Sequence, residues 1–291
     1  RWAWHAVQPT APENAMPYKT VLVHVDNGKR AEMRVDIACR LAKLSDAHLI
    51  GLHALTVIRL PSYAVAEGGV QVRELHERMV AESEARAEKL FAKAVKASGL
   101  ARSEWRASRR DAVAAVPVHG RYADVLVVGQ PNEADGSGVE SDFAERVLLA
   151  AGRPLLFIPY AGSFPHIGTR VLVAWNASRE ATRAVTDAIP VLREAKQVDV
   201  VAFNPKEAPH GEVPGADIGL YLARHGIKVN VSQQTAEDVD VGNQLLSRAA
   251  DLDSDLIVMG AYGQPRLKEL VLGGATRTIL KSMTVPVLMS H

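Results

Sequence analysis

The stretch SDLIVMGAYGQPRLKELVLGGATRTIL, residues 254–280, joins a short apolar run to four glycines. Leu256 to Met259 form the unbroken apolar run that is typical of a strand buried on both faces of a parallel sheet. Glycine inside regular structure costs about 0.5 to 1 kcal/mol relative to alanine, so this cluster indicates positive φ or close approach of backbone. From Ala275 to Lys281 we expect a helix. The stretch therefore predicts a strand, a glycine-rich loop and a helix.

The strand of this stretch is one of three that occur twice, in the same order. The matches pair residues 18–26 with 169–177, 123–129 with 254–260, and 153–159 with 284–290. Apolar residues at helical spacing follow the first match in each half, and further apolar runs at 48–55 and 198–203 predict another strand. Strands that alternate with helices predict a parallel sheet with right-handed crossovers. We therefore predict two similar α/β units.

The boundaries of these units follow from breaks in the pattern. Residues 1–15 are polar and outside any periodicity, and we interpret them as an added or disordered leader. Two glycines and a proline interrupt the pattern at 161–168, which predicts a linker. The first domain is then 16–160 and the second is 169–291.

Composition limits the class of protein. The chain has 291 residues, of which 47% are hydrophobic and 23% are charged, as in soluble proteins of two domains. A net charge of +1 provides no overall attraction to nucleic acid or to an anionic membrane. No apolar stretch approaches the roughly 18 residues of a membrane span. A single cysteine, Cys39, excludes an intramolecular disulfide. We expect a cytoplasmic protein that binds neither nucleic acid nor membrane.

The glycine spacing carries the functional signal, and it is neither the Walker phosphate loop nor the Rossmann glycine fingerprint. Together with the tandem strands it resembles the universal stress protein family, specifically its two-domain members. The resemblance implies two tandem Rossmann-like domains, each a mostly parallel five-stranded sheet flanked by helices. They would be packed as an internal pseudo-dimer through the last strands, here 155–158 and 285–289. It also implies a stress-response sensor or regulator that binds ATP, ADP or AMP, with Mg²⁺ as a possible companion.

The second half keeps the glycine pattern of this family. Carried over to this chain, the resemblance assigns nucleotide contacts to Asn176, Gly260, Gly263, Gly273, Gly274, Ala275 and Thr276. Two positions depart from the family: Asn176 replaces an acidic residue, and Gly274 replaces a serine or threonine. The only nearby carboxylate in the glycine segment that is a candidate for Mg²⁺ is Glu269.

The first half has lost the pattern. Asn132 aligns with Gly263, and Ser141 and Asp142 align with Gly273 and Gly274. Negative charge at the phosphate position repels a triphosphate by a few kcal/mol at intermediate dielectric, so we predict that this half binds no ATP. Asp26, after the first strand, is then expected to be a helix-capping or solvated residue.

Other residue patterns favour no catalytic or metal function. His24, His48 and His53 match no compact metal motif, and no nucleophile, base and acid stand together in the sequence. We therefore expect no catalytic residue and at most weak ATP hydrolysis. A scaffold that acts through an unknown protein partner, a nucleotide-activating enzyme and further pairing into a homodimer stay open as alternatives.

Overall fold

A computed structural model describes residues 17–55, 62–132, 139–203, 215–234, 240–263 and 274–291. Strands and helices alternate in both halves. The first half contains β1 (Thr20–His24), α1 (Ala31–Leu44), β2 (His48–Leu55), α2 (Ser62–Ser98), β3 (Ser103–Asp111), α3 (Ala112–Gly120), β4 (Val125–Gly129), α4 (Phe143–Ala151) and β5 (Leu155–Ile158). The second half contains β6 (Arg170–Trp175), α5 (Arg179–Glu194), β7 (Gln197–Phe203), α6 (Ala216–Arg224), β8 (Asn230–Gln234), α7 (Val241–Asp251), β9 (Leu256–Gly260), α8 (Ala275–Ser282) and β10 (Val287–Ser290).

The described strands form one continuous sheet in the order β3-β2-β1-β4-β5-β10-β9-β6-β7-β8. Neighbours are parallel except at the centre, where β5 and β10 pair antiparallel with Phe157 opposite Val287. Each half has the doubly wound strand order of a Rossmann-like unit. The predicted fold and the pairing of the last strands are confirmed. The last strand begins at Val287, because Pro286 just before it has no amide hydrogen for the ladder.

Helices cover both faces of the sheet. Val21 and Val23 point to the face covered by α1, α2, α5 and α6, whereas Leu22 points to the face covered by α3, α4, α7 and α8. Because helices cover both faces, every residue of β5 and β10 is buried. The seam between the halves is therefore part of the hydrophobic core.

Polar contacts across the seam supplement that core. The Gln130 side chain, just after β4, donates to the carbonyl oxygens of Leu280 (3.0 Å) and Lys281 (3.1 Å) at the end of α8. The Tyr18 hydroxyl donates to the carbonyl oxygen of Asp187 in α5 (2.8 Å). Arg40 of α1 donates to the carbonyl oxygen of Phe164, which ties the predicted linker to the first half (2.8 Å).

Candidate functional site

The second half brings most of the predicted contact residues to one edge of the sheet. Strands β6 and β9 are paired, so their carboxyl ends place Asn176 beside the segment from Gly260 to Gly263. Helix α8 begins next to them, at Ala275. Ligands of open α/β sheets bind at this edge. Gly273 and Glu269, two residues of the sequence prediction, lie outside the described residues.

A hydrogen bond fixes the glycine loop to helix α8. The Tyr262 backbone amide donates to the Thr276 hydroxyl oxygen at 3.2 Å. Thr276 is only 3% exposed, so this oxygen serves the fold. The expected contact of its hydroxyl with a phosphate therefore competes with a bond inside the protein. The same bond holds the carboxyl end of β9 and the start of α8 together.

The start of α8 is suited to an anion. Gly274 is the N-cap residue, with φ −39° and ψ 151°, and within the described part of the chain no side chain caps it. The first amides of a helix have no acceptor inside the helix and carry partial positive charge. Ala275 and Thr276 supply two of these amides.

Asn176 forms the same turn as its counterpart in the first half. Its side-chain oxygen accepts from the Ser178 amide (3.1 Å), and Asp26 accepts from the Gly28 amide in the same way (2.9 Å). Ser178 then caps α5 by accepting from the Ala181 amide (3.1 Å). Asn176 itself is exposed at the end of β6.

Gly260 has a structural reason to be glycine. A Cβ atom there would overlap the backbone nitrogen of Ala181 and approach the carbonyl carbon of Glu180 within 2.5 Å. The first turn of α5 therefore crosses directly over the end of β9. This close approach of backbone accounts for Gly260 without a ligand.

Glu180, in the first turn of α5, is a residue of the site that was not predicted from the sequence. A Cβ atom on Gly263 would lie 2.9 Å from its Oε2 atom and 2.9 Å from the Ser178 hydroxyl. The residue is 8% exposed, and Arg179 lies 3.4 Å from its other oxygen. The structure thus places a buried carboxylate beside the glycine loop. The sequence feature that could have pointed to Glu180 is its position in the first turn of the helix that follows Asn176.

The equivalent place in the first half is filled by a buried ion pair. Arg34 lies 2.7 Å from Asp26, and the two side chains are 4% and 8% exposed. A Cβ atom on Gly129 would overlap the Arg34 guanidinium. The cavity that remains measures about 10 Å³, room for about one water molecule.

The expectation that Asp26 caps a helix or is solvated is therefore wrong. Burial acts to raise the pKa of Asp26, but the charges of Arg34 and His24, together with the hydrogen bonds from Arg34 and the Gly28 amide, hold that pKa below its ordinary value. Burial also lowers the pKa of the neighbouring His24 to about 4. Aligning Asp26 with Asn176 without a gap places Ala184 opposite Arg34. The second half therefore has no arginine at that place.

Neither metal binding nor a membrane span is indicated within the described ranges. They contain no group of three or more His, Cys, Asp or Glu that is arranged to hold a metal ion. None of their helices is both long enough and apolar enough to cross a bilayer.

Comparison with known proteins identifies the second half. Residues 169–291 match the sequence model of the Universal stress protein family. The second half of the chain is a universal stress protein domain. The first half repeats its strand order, and solved structures cover both halves together.

A universal stress protein from Archaeoglobus fulgidus DSM 4304 is similar over 93% of this chain and 95% of its own, with a TM-score of 0.72 and 16% identity. A putative universal stress protein from Pseudomonas aeruginosa UCBPP-PA14 is similar over 95% of both chains, with a TM-score of 0.58 and 15% identity. At these identities the likeness establishes the tandem universal stress protein fold. No curated protein matches the sequence.

Proposed function

We propose that the second domain binds an adenine nucleotide, ATP, ADP or AMP, and that the protein acts as a nucleotide-responsive stress regulator. The observation that supports this most directly is the bond between Tyr262 and Thr276, which holds the start of α8 at the carboxyl end of β9. The amides of Ala275 and Thr276 donate to the phosphates. Asn176, exposed at the end of β6, faces the ribose and base.

Glu180 is the residue that would hold Mg²⁺. Mg²⁺ binds through one or two carboxylates together with phosphate oxygens of the nucleotide. Glu180 is buried next to Gly263 and has an exposed Arg179 as its ion-pair partner. A bound Mg²⁺ would offset the repulsion between this carboxylate and a triphosphate.

Replacing Gly274 by aspartate tests the site. The backbone angles at Gly274 suit an ordinary N-cap residue, and aspartate is a preferred one, so the stability of the ligand-free protein should not fall. The new carboxylate lies where we place a phosphate. We expect the affinity for ATP to fall at least tenfold, about 1.4 kcal/mol, in calorimetric titration.

Gly274→Asn is the matched control, because it has the same size without the charge. It should retain most of the affinity. If both variants bind ATP as tightly as the unmodified protein, the start of α8 is not the phosphate site. If both lose affinity equally, crowding rather than charge is responsible.

The stoichiometry should be one nucleotide per chain. In the first half Arg34 and Asp26 already fill the space above Gly129. Calorimetry should give one site, and ATP at 100 times its dissociation constant should stabilise the fold by about 2.7 kcal/mol. A stoichiometry of two would contradict the assignment of a silent first domain.

The alternative function is a scaffold that has lost nucleotide binding and works through protein contacts. The observation that favours it is the buried carboxylate of Glu180. In the absence of Mg²⁺ this carboxylate would repel the phosphates of a bound nucleotide. ATP, with and without Mg²⁺, would then leave the melting temperature unchanged. Such a result would select the scaffold.

A further inference from the structure

A larger cavity lies in the first domain, at the carboxyl ends of β1, β2 and β3 and under helix α2. Its volume is about 370 Å³, which is within the range of small-molecule sites. Residues of its wall include Asn27, His53, Leu55, Val80, Ser83 and Arg109. Residues of the nucleotide site proposed above do not line it, since that site belongs to the second domain.

A chain of hydrogen bonds runs along the wall of this cavity. The Nδ1 atom of the buried His53 lies 2.7 Å from the carbonyl oxygen of Val25. A carbonyl oxygen only accepts, so Nδ1 carries the proton and Nε2 is an acceptor. The Ser83 hydroxyl, 3.3 Å from Nε2, donates to it. Asn27 donates in turn to the Ser83 oxygen at 2.5 Å.

This arrangement meets the geometric requirement for an activated nucleophile. A hydroxyl stands within reach of a base, and a third group holds that base in the required tautomer. Trp105 stacks against the His53 ring, with 6.3 Å between centroids and 13° between planes, so the orientation of the ring is restrained. Ser98, on the same helix, instead donates to the Val95 carbonyl of its own helix, as structural serines do.

We propose that Ser83 is a nucleophile and His53 its general base, in a site that hydrolyses small carboxylic esters. Ser83 Oγ attacks the ester carbonyl carbon while its proton passes to His53 Nε2. The bond to the alcohol oxygen then breaks, and His53 protonates the leaving alcohol. A water molecule, deprotonated by His53, then attacks the acyl carbon; the bond from that carbon to Ser83 Oγ breaks, His53 returns the proton to Ser83 Oγ, and the carboxylic acid leaves.

Two further features of the cavity fit this substrate class. Asn27 is within reach of Ser83 Oγ, so its amide is placed to donate to the oxyanion that forms next to that atom. Leu55 and Val80 supply apolar surface for the acyl group.

The first test is covalent labelling of the full chain with an alkyl fluorophosphonate. Attack by Ser83 breaks the phosphorus–fluorine bond, fluoride leaves, and His53 takes the proton. We expect the intact mass to increase by one phosphonyl group, and peptide mapping to locate it on Ser83. Absence of a label on Ser83 in the folded protein, or a label confined to other residues, overturns the proposal.

Three variants separate the roles. Ser83→Ala should abolish labelling. His53→Asn retains a donor to the Val25 carbonyl but lacks the base, and labelling should slow by about a hundredfold or more. Ser98→Ala, outside the cavity, should label at the unmodified rate. If folded His53→Asn labels as fast as the unmodified protein, His53 is not the base and the proposal fails. Hydrolysis of 4-nitrophenyl acetate should follow the same order.

Discussion

Arg34→Met is expected to lower the free energy of unfolding by about 3 to 5 kcal/mol at pH 7, the usual cost of breaking a buried ion pair by removing one partner. Methionine preserves the apolar stem of Arg34 and leaves the Asp26 carboxylate buried without its cation. Asp26 then retains the hydrogen bond from the Gly28 amide and the neighbouring His24, which lies 4.0 Å away. Urea denaturation of both proteins measures the difference.

The double variant Arg34→Met with Asp26→Asn is the control, because it removes both charges and preserves the acceptor for the Gly28 amide. It should be more stable than Arg34→Met alone. An equal loss in both would mean that packing or the bond from Arg34 to the His24 carbonyl, rather than the unpaired charge, is the cause.

The stability difference should also depend on pH. In the unmodified protein the pKa of Asp26 is depressed, so its stabilising contribution is present above the unfolded pKa of about 3.9 and is lost as the pH falls through the folded pKa. Without Arg34, burial raises the pKa of this carboxyl, and protonation removes the buried charge. The difference in the free energy of unfolding between Arg34→Met and the unmodified protein should therefore become smaller as the pH is lowered from 7 to 5.

Gly260→Ala is expected to destabilise the protein by about 3 kcal/mol, the upper part of the usual range for overpacking. The added methyl group would overlap the backbone of α5 at Ala181, and backbone in a packed helix moves less readily than a side chain. The variant should unfold at lower urea concentration, measured without nucleotide.

Gly219→Ala, in helix α6, is the matched control. Its added methyl group would lie 3.1 Å from a terminal methyl of Val231, which is 40% exposed and free to turn aside. Alanine is the better helix former, so this variant should be as stable as the unmodified protein or more stable by up to about 1 kcal/mol. If Gly260→Ala caused no loss of stability either, the backbone of α5 would not be in close contact with β9, and Gly260 would be available for a ligand.

The two glycines at the ends of β4 and β9 show how far sequence reasoning reaches. Both were correctly placed at strand ends, because apolar runs and their order are local properties of the chain. The groups that pack against the two glycines differ, however. The Arg34 guanidinium packs against Gly129, and the first turn of α5 packs against Gly260. Two similar strand ends therefore have different surroundings in the folded protein.

The sequence by itself determined the repeated α/β units and the parallel arrangement of their strands, and its resemblance to the universal stress protein family implied the pairing of 155–158 with the last strand. The units and their parallel strands follow from hydrophobic periodicity and from the recurrence of the same runs along the chain. Only the tertiary structure decided that Asp26 is in a buried ion pair, that Glu180 faces the glycine loop, and that Ser83 meets His53 beside a cavity. These contacts depend on how each helix is seated on the sheet, and that position is set by the packing of side chains distant in sequence, which no local pattern encodes.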